Sequence, residues 1–181
     1  MSESKPEPQA NWPERDSVVC YVALGANLGQ PEEAFTTALL GLDQTRGVQV
    51  LSCSALYCSE PFEASGPPYF NAVCSITTSL CAPALLDVLQ HLEAQAGRVR
   101  EYHHQPRTLD LDLLFFGQAQ VQSPRLVVPH PRWFERAFVL KPLMELVPSW
   151  VTPAMLQRVE DQVIERADPA VQLWSPRLQK A

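Results

Sequence analysis

The segment Arg107-Thr108-Leu109-Asp110-Leu111-Asp112-Leu113-Leu114 alternates leucine with aspartate at every second position. Period two is the side-chain repeat of a β-strand, so the leucines point to one face and both carboxylates to the other. Two like charges about 7 Å apart along a strand repel one another and lose hydration, which a neighbouring cation compensates. Because oxygen ligands suit Mg²⁺, the segment predicts a strand with a magnesium-binding face. A solvated polar face on an ordinary strand is the alternative.

The residues on either side of the aspartates favour magnesium binding. The apolar run from Leu113 to Phe116, closed by Gly117, indicates a buried strand rather than one at a sheet edge. Between Arg98 and Arg136 there are six arginines against four acids, a local charge of +2 in a chain whose net charge is −6. Since arginine is suited to bidentate phosphate contacts, this region predicts a site for Mg²⁺ and a polyphosphate.

Composition limits the class of protein. A chain of 181 residues that is 46% hydrophobic predicts one globular domain with its own core. The acidic balance argues against a nucleic-acid partner, and the absence of a long apolar run argues against a membrane span. Five cysteines without metal-binding spacing indicate reduced residues packed inside a cytoplasmic protein.

The order of the predicted elements indicates a fold class. It is β-α-β-β-α-β, typical of a ferredoxin-like α+β domain with an antiparallel sheet and helices on one face. The glycine turn at Gly25 to Gly29 is not a phosphate-binding loop of the Walker type, because no Gly-Lys-Ser/Thr follows it. The elements are strands over residues 18–24, 48–57 and 69–80, a helix from Pro31 that ends near Gly47, a helix from Pro83 to Gly97, and the aspartate strand.

The two ends of the chain are expected to differ from the centre. Residues 1–16 are polar, contain proline and lack an apolar signal-peptide core, so they predict a disordered tail. Residues 17–167 are expected to form the single domain. A C-terminal helical extension is predicted within it, with helices over residues 135–146 and from Pro153 to about Ala167. Residues 168–181 are expected to be an irregular tail.

Six short motifs occur in order between about Val18 and Val147. They are Val22-Ala23-Leu24-Gly25-Ala26-Asn27-Leu28-Gly29, Tyr69-Phe70-Asn71-Ala72, Gly97-Arg98, Pro106-Arg107-Thr108-Leu109-Asp110-Leu111-Asp112, Val128-Pro129-His130-Pro131 and Glu135-Arg136-Ala137-Phe138-Val139-Leu140. In this combination the chain resembles the 6-hydroxymethyl-7,8-dihydropterin pyrophosphokinases of folate biosynthesis. The resemblance implies transfer of pyrophosphate from ATP to the hydroxymethyl group of the dihydropterin, with AMP as the other product.

The resemblance also implies roles for individual residues. Asp110 and Asp112 would hold two Mg²⁺ ions and, with Arg98 and Arg107, would make the catalytic group. The implied ATP-binding residues are Glu93, Arg98, Arg100, Arg107, Leu113, Arg125, His130 and Arg136. The implied pterin-binding residues are Ser59, Glu60, Phe62, Tyr69, Asn71, His104 and Phe138. ATP and the pterin would be the only partners of a monomeric enzyme.

Two positions depart from what is typical of the family. His104-Gln105 stands where Trp-Gly is usual. In the loop before Tyr69, which is expected to contact the pterin, Phe62-Glu63 replaces the usual glycine-containing sequence. The basic segment of residues 98–106 is expected to be a lid that closes when both substrates bind.

Two other classes of function remain as alternatives. One is a nucleotidyltransferase or cyclase of similar topology, which would show a third carboxylate. The other is a non-catalytic ferredoxin-like ligand-binding module, which has no reason to keep an acidic pair facing arginines.

Overall fold

The computed structural model describes residues 16–59, 67–97, 108–167 and 171–174. In these ranges the predicted β-α-β-β-α-β order is confirmed, with further short elements after it. The strands are β1 (Val18–Ala26), β2 (Val48–Cys53), β3 (Tyr57–Ser59), β4 (Tyr69–Thr78), β5 (Asp110–Phe116), β6 (Val121–Gln122), β7 (Val127–Val128) and β8 (Ile164–Arg166). The α-helices are α1 (Pro31–Gln44), α2 (Ala82–Gln95), α3 (Ala137–Leu146) and α4 (Pro153–Arg158), and short 3₁₀ turns lie at Trp133–Glu135 and Pro148–Trp150.

The main sheet is antiparallel, and its order confirms the ferredoxin-like α+β class. Its strands run β5-β1-β4-β3-β8, and β2 pairs with β4 on the same side as β3. In the described part of the chain β5 therefore lies at the sheet edge, whereas the sequence indicated an interior strand. Its apolar run has another cause: both faces of β5 are covered, so Leu113 is buried on one side and Leu114 on the other.

The sequence predicted a single strand over residues 48–57, but the structure breaks it into β2 and β3. Ser54 lies at the break, where its N–H donates to the carbonyl oxygen of Val73 (2.9 Å) and its hydroxyl oxygen accepts from the N–H of Val73 (3.0 Å). The break lets both short strands pair with the one long strand β4, β2 near its end and β3 near its start.

Helices cover both faces of the sheet. On one face α1 and α2 bury an apolar stripe that includes Phe35, Leu39 and Leu85, as their sequence periodicity predicts. On the opposite face α3 packs Leu140 and Leu143 against the sheet. The expectation of helices on one face thus holds for α1 and α2 only. Each fully buried leucine stabilises the fold by roughly 2 kcal/mol.

The C-terminal extension is only partly helical. α3 confirms the predicted helix near residue 135, and α4 begins at Pro153, where the Thr152 hydroxyl caps the N–H of Met155. The predicted continuation to Ala167 is wrong, because residues 164–166 form β8. β8 pairs with the edge of β3 that β4 leaves open, so backbone groups of β3 at that edge are hydrogen-bonded. A local sequence pattern does not reveal this pairing.

Little of the predicted tails falls within the described residues. Residues 1–15, 168–170 and 175–181 lie outside them. Between the last two ranges, Leu173 and Trp174 are buried against the α1–α2 side of the core. No helix in the described ranges has the length and apolar character needed to cross a membrane.

Candidate active site

One row of residues crosses four strands of the sheet. Gly25 on β1 pairs with Asp110 on β5 and with Asn71 on β4, and Asn71 pairs in turn with Tyr57 on β3. Residues directly opposite one another in antiparallel strands share a face, so these side chains project to the face that α3 covers. A Cβ atom at Gly25 would lie 3.7 Å from Oδ1 of Asn71 and 3.8 Å from Cβ of Asp110. Glycine therefore leaves the floor between the two polar side chains open.

Asp112 lies one row further along β5 and faces the start of α3. Its Oδ2 atom is 4.0 Å from Nη1 of Arg136, the residue just before the helix, and both side chains are partly exposed. The Arg136 guanidinium also lies 5.4 Å from the ring centroid of Phe138, in cation–π geometry. One arginine thus connects the aspartate strand with an aromatic ring.

A β-bulge ties a second basic residue to the aspartate strand. Tyr21 pairs with Phe115 and Val22 with Leu113, so Leu114 has no partner in the β1–β5 ladder. Its carbonyl oxygen accepts instead from the N–H of His130 (2.9 Å). The extra residue of the bulge therefore holds the segment after β7 beside Asp112.

The environment of His130 favours the neutral ring. Burial lowers the pKa of His130 below its usual 6.5, and the Arg136 and Arg132 cations lower it further, while the carboxylates of Asp112 and Asp110 oppose the shift. The Nδ1 atom accepts from the N–H of Arg132 (3.2 Å), which leaves the proton of the neutral ring on Nε2. His130 therefore offers one N–H donor.

The described residues predicted for pterin binding lie at the end of β3, at the start of β4 and on α3. Asn71 is buried, and its amide nitrogen donates to the Ser59 hydroxyl (3.3 Å) and to the Tyr69 carbonyl oxygen (3.5 Å). Ser59 and Tyr69 are partners across β3 and β4. Phe138 is half-buried in the first turn of α3. The structure thus brings Ser59, Tyr69 and Asn71 into direct contact.

Two residues predicted to bind ATP, Glu93 and Leu113, make contacts within the protein core. Glu93 on α2 is buried, and its Oε1 atom accepts from the N–H of Leu111 (2.9 Å), between the two aspartates. Its carboxylate therefore positions the aspartate strand. Leu113 is buried in the core on the α1–α2 side, which leaves only its main chain for contact with a nucleotide.

Arg125 forms an ion pair on the protein surface. Its Nη2 atom lies 2.6 Å from Oδ1 of Asp87 on α2, and the side chains are 65% and 46% exposed. An exposed pair contributes little to stability, so exchanging Asp87 for a phosphate would cost little.

The remaining predicted residues lie outside the described ranges. They are Glu60, Phe62, Arg98, Arg100, His104 and Arg107, and the expected lid lies there too. Gly25 and Tyr57, which complete the row, were not predicted as site residues. A glycine inside a strand pattern, as at Gly25, is the signal that indicates a close approach.

The donor set at β5 fits a hard divalent cation. No group of three or more histidine, cysteine or acidic side chains suited to a metal occurs in the described ranges. Mg²⁺ typically takes one or two carboxylates from the protein and completes its shell with water and phosphate. Asp110 and Asp112, two residues apart on one face of a strand, provide that pair.

Comparison with known proteins agrees with this geometry. The family model described as 7,8-dihydro-6-hydroxymethylpterin-pyrophosphokinase matches residues 21–148. The chain is 43% identical over 134 residues to the 2-amino-4-hydroxy-6-hydroxymethyldihydropteridine pyrophosphokinase of Pseudomonas aeruginosa, covering 74% of this chain and 83% of that one. It is 40% identical over 147 residues to the enzyme of the same name from Synechocystis, covering 81% and 75%.

The fold is also similar to that of a longer chain of known structure. It is the Plasmodium falciparum HPPK-DHPS, with a TM-score of 0.63 at 12% identity, covering 82% of this chain and 47% of that one. This chain thus spans less than half of that protein, and the likeness shows the fold alone. The family match and the identity to the bacterial enzymes show more: this chain belongs to the 7,8-dihydro-6-hydroxymethylpterin-pyrophosphokinase family.

Proposed function

We propose that this chain transfers pyrophosphate from ATP to 6-hydroxymethyl-7,8-dihydropterin, giving AMP and the pterin diphosphate, a step of folate biosynthesis. Membership of the family supports the reaction. The structural observation that carries the proposal is the row Asp110–Gly25–Asn71. In this row a carboxylate and a buried amide lie on either side of a glycine, whose lack of a side chain leaves space between them.

The aspartate strand would form the phosphate side of the site. Asp110 and Asp112 would hold two Mg²⁺ ions, which when bound neutralise the phosphates of ATP and polarise the reacting phosphorus. Glu93 anchors the backbone between the two carboxylates, and β1 pairs with both, so their separation is fixed before any ligand binds. Such preorganisation means that little reorganisation is needed during the reaction.

His130 and Arg136 would bind the phosphates from the α3 side. Arg136 carries a positive charge 4.0 Å from Asp112, so it would bind a phosphate on the Asp112 side of the site. His130 would donate a hydrogen bond from its Nε2–H group to a phosphate oxygen. Because the ring is neutral, it would add no full charge. The arginines predicted for the same role, Arg98, Arg100 and Arg107, would complete the phosphate side.

Asn71 and Phe138 would bind the pterin. The pterin would stack on Phe138 and present its edge to Asn71, whose amide is fixed by its bonds to Ser59 and Tyr69. In this pose the hydroxymethyl group would point along the row towards Asp110. The residues on the phosphate side and those that bind the pterin would together align this oxygen with the β-phosphorus for in-line attack. The row is completed within one chain, so the proposal requires no second copy.

The two alternative functions are not favoured. A cyclase-like enzyme would need a third carboxylate beside the pair, and the described residues show no such group of three. A non-catalytic module is not favoured because the named relatives are pyrophosphokinases.

The product of ATP cleavage tests the proposal. The protein is incubated with ATP, Mg²⁺ and 6-hydroxymethyl-7,8-dihydropterin, and the nucleotides are separated by chromatography. AMP should accumulate only when the pterin is present. A pterin with a methyl in place of the hydroxymethyl group is the matched control, since it lacks the acceptor oxygen. ADP as the product would indicate an ordinary kinase and would reject the proposal.

A further inference from the structure

Glu145 makes two hydrogen bonds that none of the roles above uses. From the last turn of α3 its Oε2 atom accepts from the N–H of Ala55 (2.9 Å), and its Oε1 atom accepts from the hydroxyl of Tyr57 (2.7 Å). Ala55 lies in the break between β2 and β3, and Tyr57 is the first residue of β3. One carboxylate therefore joins the end of the helix to the start of a strand about 90 positions earlier in the chain.

The bonded strand residue belongs to the row that crosses the site. Tyr57 is the direct cross-strand partner of Asn71, and Ser59, two positions on, accepts a bond from the Asn71 amide. Tyr57 is only 9% exposed. Burial raises the pKa of its phenol, and the hydrogen bond to Glu145 raises it further, so the group stays protonated and donates at neutral pH. The carboxylate thus holds the strand that supports Asn71.

The other end of the same helix carries the aromatic ring. Phe138, Lys141 and Glu145 are spaced i, i+3 and i+7, which puts them on one side of α3. Lys141 donates from Nζ to the carbonyl oxygen of Ile164 in β8 (2.8 Å), so this side of the helix is tied to β8 as well as to β3. Of these two contacts, the hydrogen bond of Glu145 reaches β3, the strand that pairs with Asn71.

We propose that Glu145 is a positioning residue that sets the gap between the Phe138 ring and the Asn71 amide, and thereby the affinity for the pterin. The inference rests on the proposed pterin-binding role of those two residues. Glu145 itself does not contact the substrate. Its loss lets the last turn of α3 and β3 move relative to one another, which widens or tilts the slot. The carboxylate pair keeps its position because Glu93 and β1 hold β5, and Arg136 lies at the opposite end of α3.

The test separates the two substrates. In Glu145→Ala the KM for the pterin should rise by about tenfold, the value expected for losing a charge-assisted hydrogen bond. The KM for ATP and kcat should each stay within about twofold. Glu145→Gln should restore most of the pterin affinity, because its amide oxygen accepts from Ala55 and its NH₂ group donates to the Tyr57 oxygen.

Lys141→Met provides the matched control. It removes a hydrogen bond of similar length from the same side of α3, but one that leads to β8. It should raise the KM for the pterin much less than Glu145→Ala does, because Ile164 reaches Asn71 only through its cross-strand partner Ser59. An equal rise in both KM values in Glu145→Ala, or an equal effect in Lys141→Met, would show general loosening of the helix and would overturn the positioning role.

Two further outcomes keep the inference separate from the proposed function. Wild-type protein that forms AMP with both substrates supports the function whatever the variants do, and an unchanged pterin KM in Glu145→Ala then overturns only the role of Glu145. If Glu145→Ala does not fold, Tyr57→Phe decides, because it removes the hydroxyl bond alone. A higher pterin KM in Tyr57→Phe supports the inference, and an unchanged one overturns it.

Discussion

Asp110 and Asn71 lie on either side of Gly25 in adjacent strands, and the glycine places no side chain between them. Because neighbouring strands lie about 4.8 Å apart, the two residues are separated by roughly 10 Å at the backbone. In the proposed function that separation would accommodate a phosphate near Asp110 and the hydroxymethyl group near Asn71. The relationship depends on the registers of β1 with β4 and with β5, which bring three distant parts of the sequence together.

The open floor at Gly25 leads to the first prediction. A methyl group there would make only ordinary van der Waals contacts, at 3.7 and 3.8 Å, so Gly25→Ala should fold with less than about 1 kcal/mol lost in unfolding free energy. The methyl would project into the space between Asp110 and Asn71, and the KM for the pterin should therefore rise. Thermal unfolding and steady-state kinetics measure the two effects. Full activity in Gly25→Ala would show that the substrates do not approach this floor.

The carboxylate pair on β5 gives the second prediction. Asp110→Ala or Asp112→Ala should remain folded but lose at least about a hundredfold in turnover, because the charge developing on the phosphates is no longer neutralised. Asp161→Asn, at an exposed position after α4, is the control and should retain wild-type turnover. Near-normal rates in an Asp110→Ala/Asp112→Ala double variant would reject the metal-binding role.

The ring on α3 gives the third prediction. Phe138→Ala should weaken binding of the pterin much more than binding of ATP, since it removes a stacking face from one substrate only. Titration calorimetry with each ligand measures the difference. Phe134→Ala is the control, because that half-buried ring packs on Trp133 with a centroid distance of 6.0 Å. Equal losses for both ligands in Phe138→Ala would contradict the stacking role.

Buried thiols and a buried phenol give a prediction for alkaline pH. Burial raises the pKa of Cys20 and of Cys74 from 9.0 to about 12, and it raises the pKa of the Tyr57 phenol above its usual 10.0. The folded state therefore keeps protons that the unfolded chain releases. Their contribution to stability is complete below pH 9 and declines as the pH rises above it.

Urea unfolding in a reducing buffer at several pH values measures this decline. Tyr57→Phe should reduce the part of the decline that occurs above pH 10, where the phenol of the unfolded chain ionises. A free energy of unfolding that stays constant between about pH 8 and 11 would contradict the burial of these groups.

The elements that local patterns specify were predicted well. The leucine–aspartate alternation predicted β5 because side chains in a strand repeat every two residues, and the prolines at positions 31 and 83 marked helix starts because proline suits the first turn. That Asp110 and Asp112 share one face of the strand was evident for the same reason. These features depend on neighbouring residues alone.

The features that were missed depend on distant contacts. The break after β2 is stabilised by Glu145, about 90 residues later, and β8 forms because β3 offers a free edge. The bulge at Leu114 is completed by His130, and no periodicity within β5 reveals it. For the same reason Gly25 and Tyr57, whose neighbours come from other strands, were not predicted as site residues.

Phosphorus NMR of the reaction products tests the central claim most directly, namely that the ATP phosphates react with the pterin hydroxyl along the row from Asp110 to Asn71. Wild-type protein with ATP, Mg²⁺ and the hydroxymethyl dihydropterin should produce AMP and a pterin diphosphate in equal amounts. The Asp110→Ala/Asp112→Ala double variant should produce neither at a comparable rate. Formation of ADP with a pterin monophosphate, or an undiminished rate in the double variant, would contradict the account.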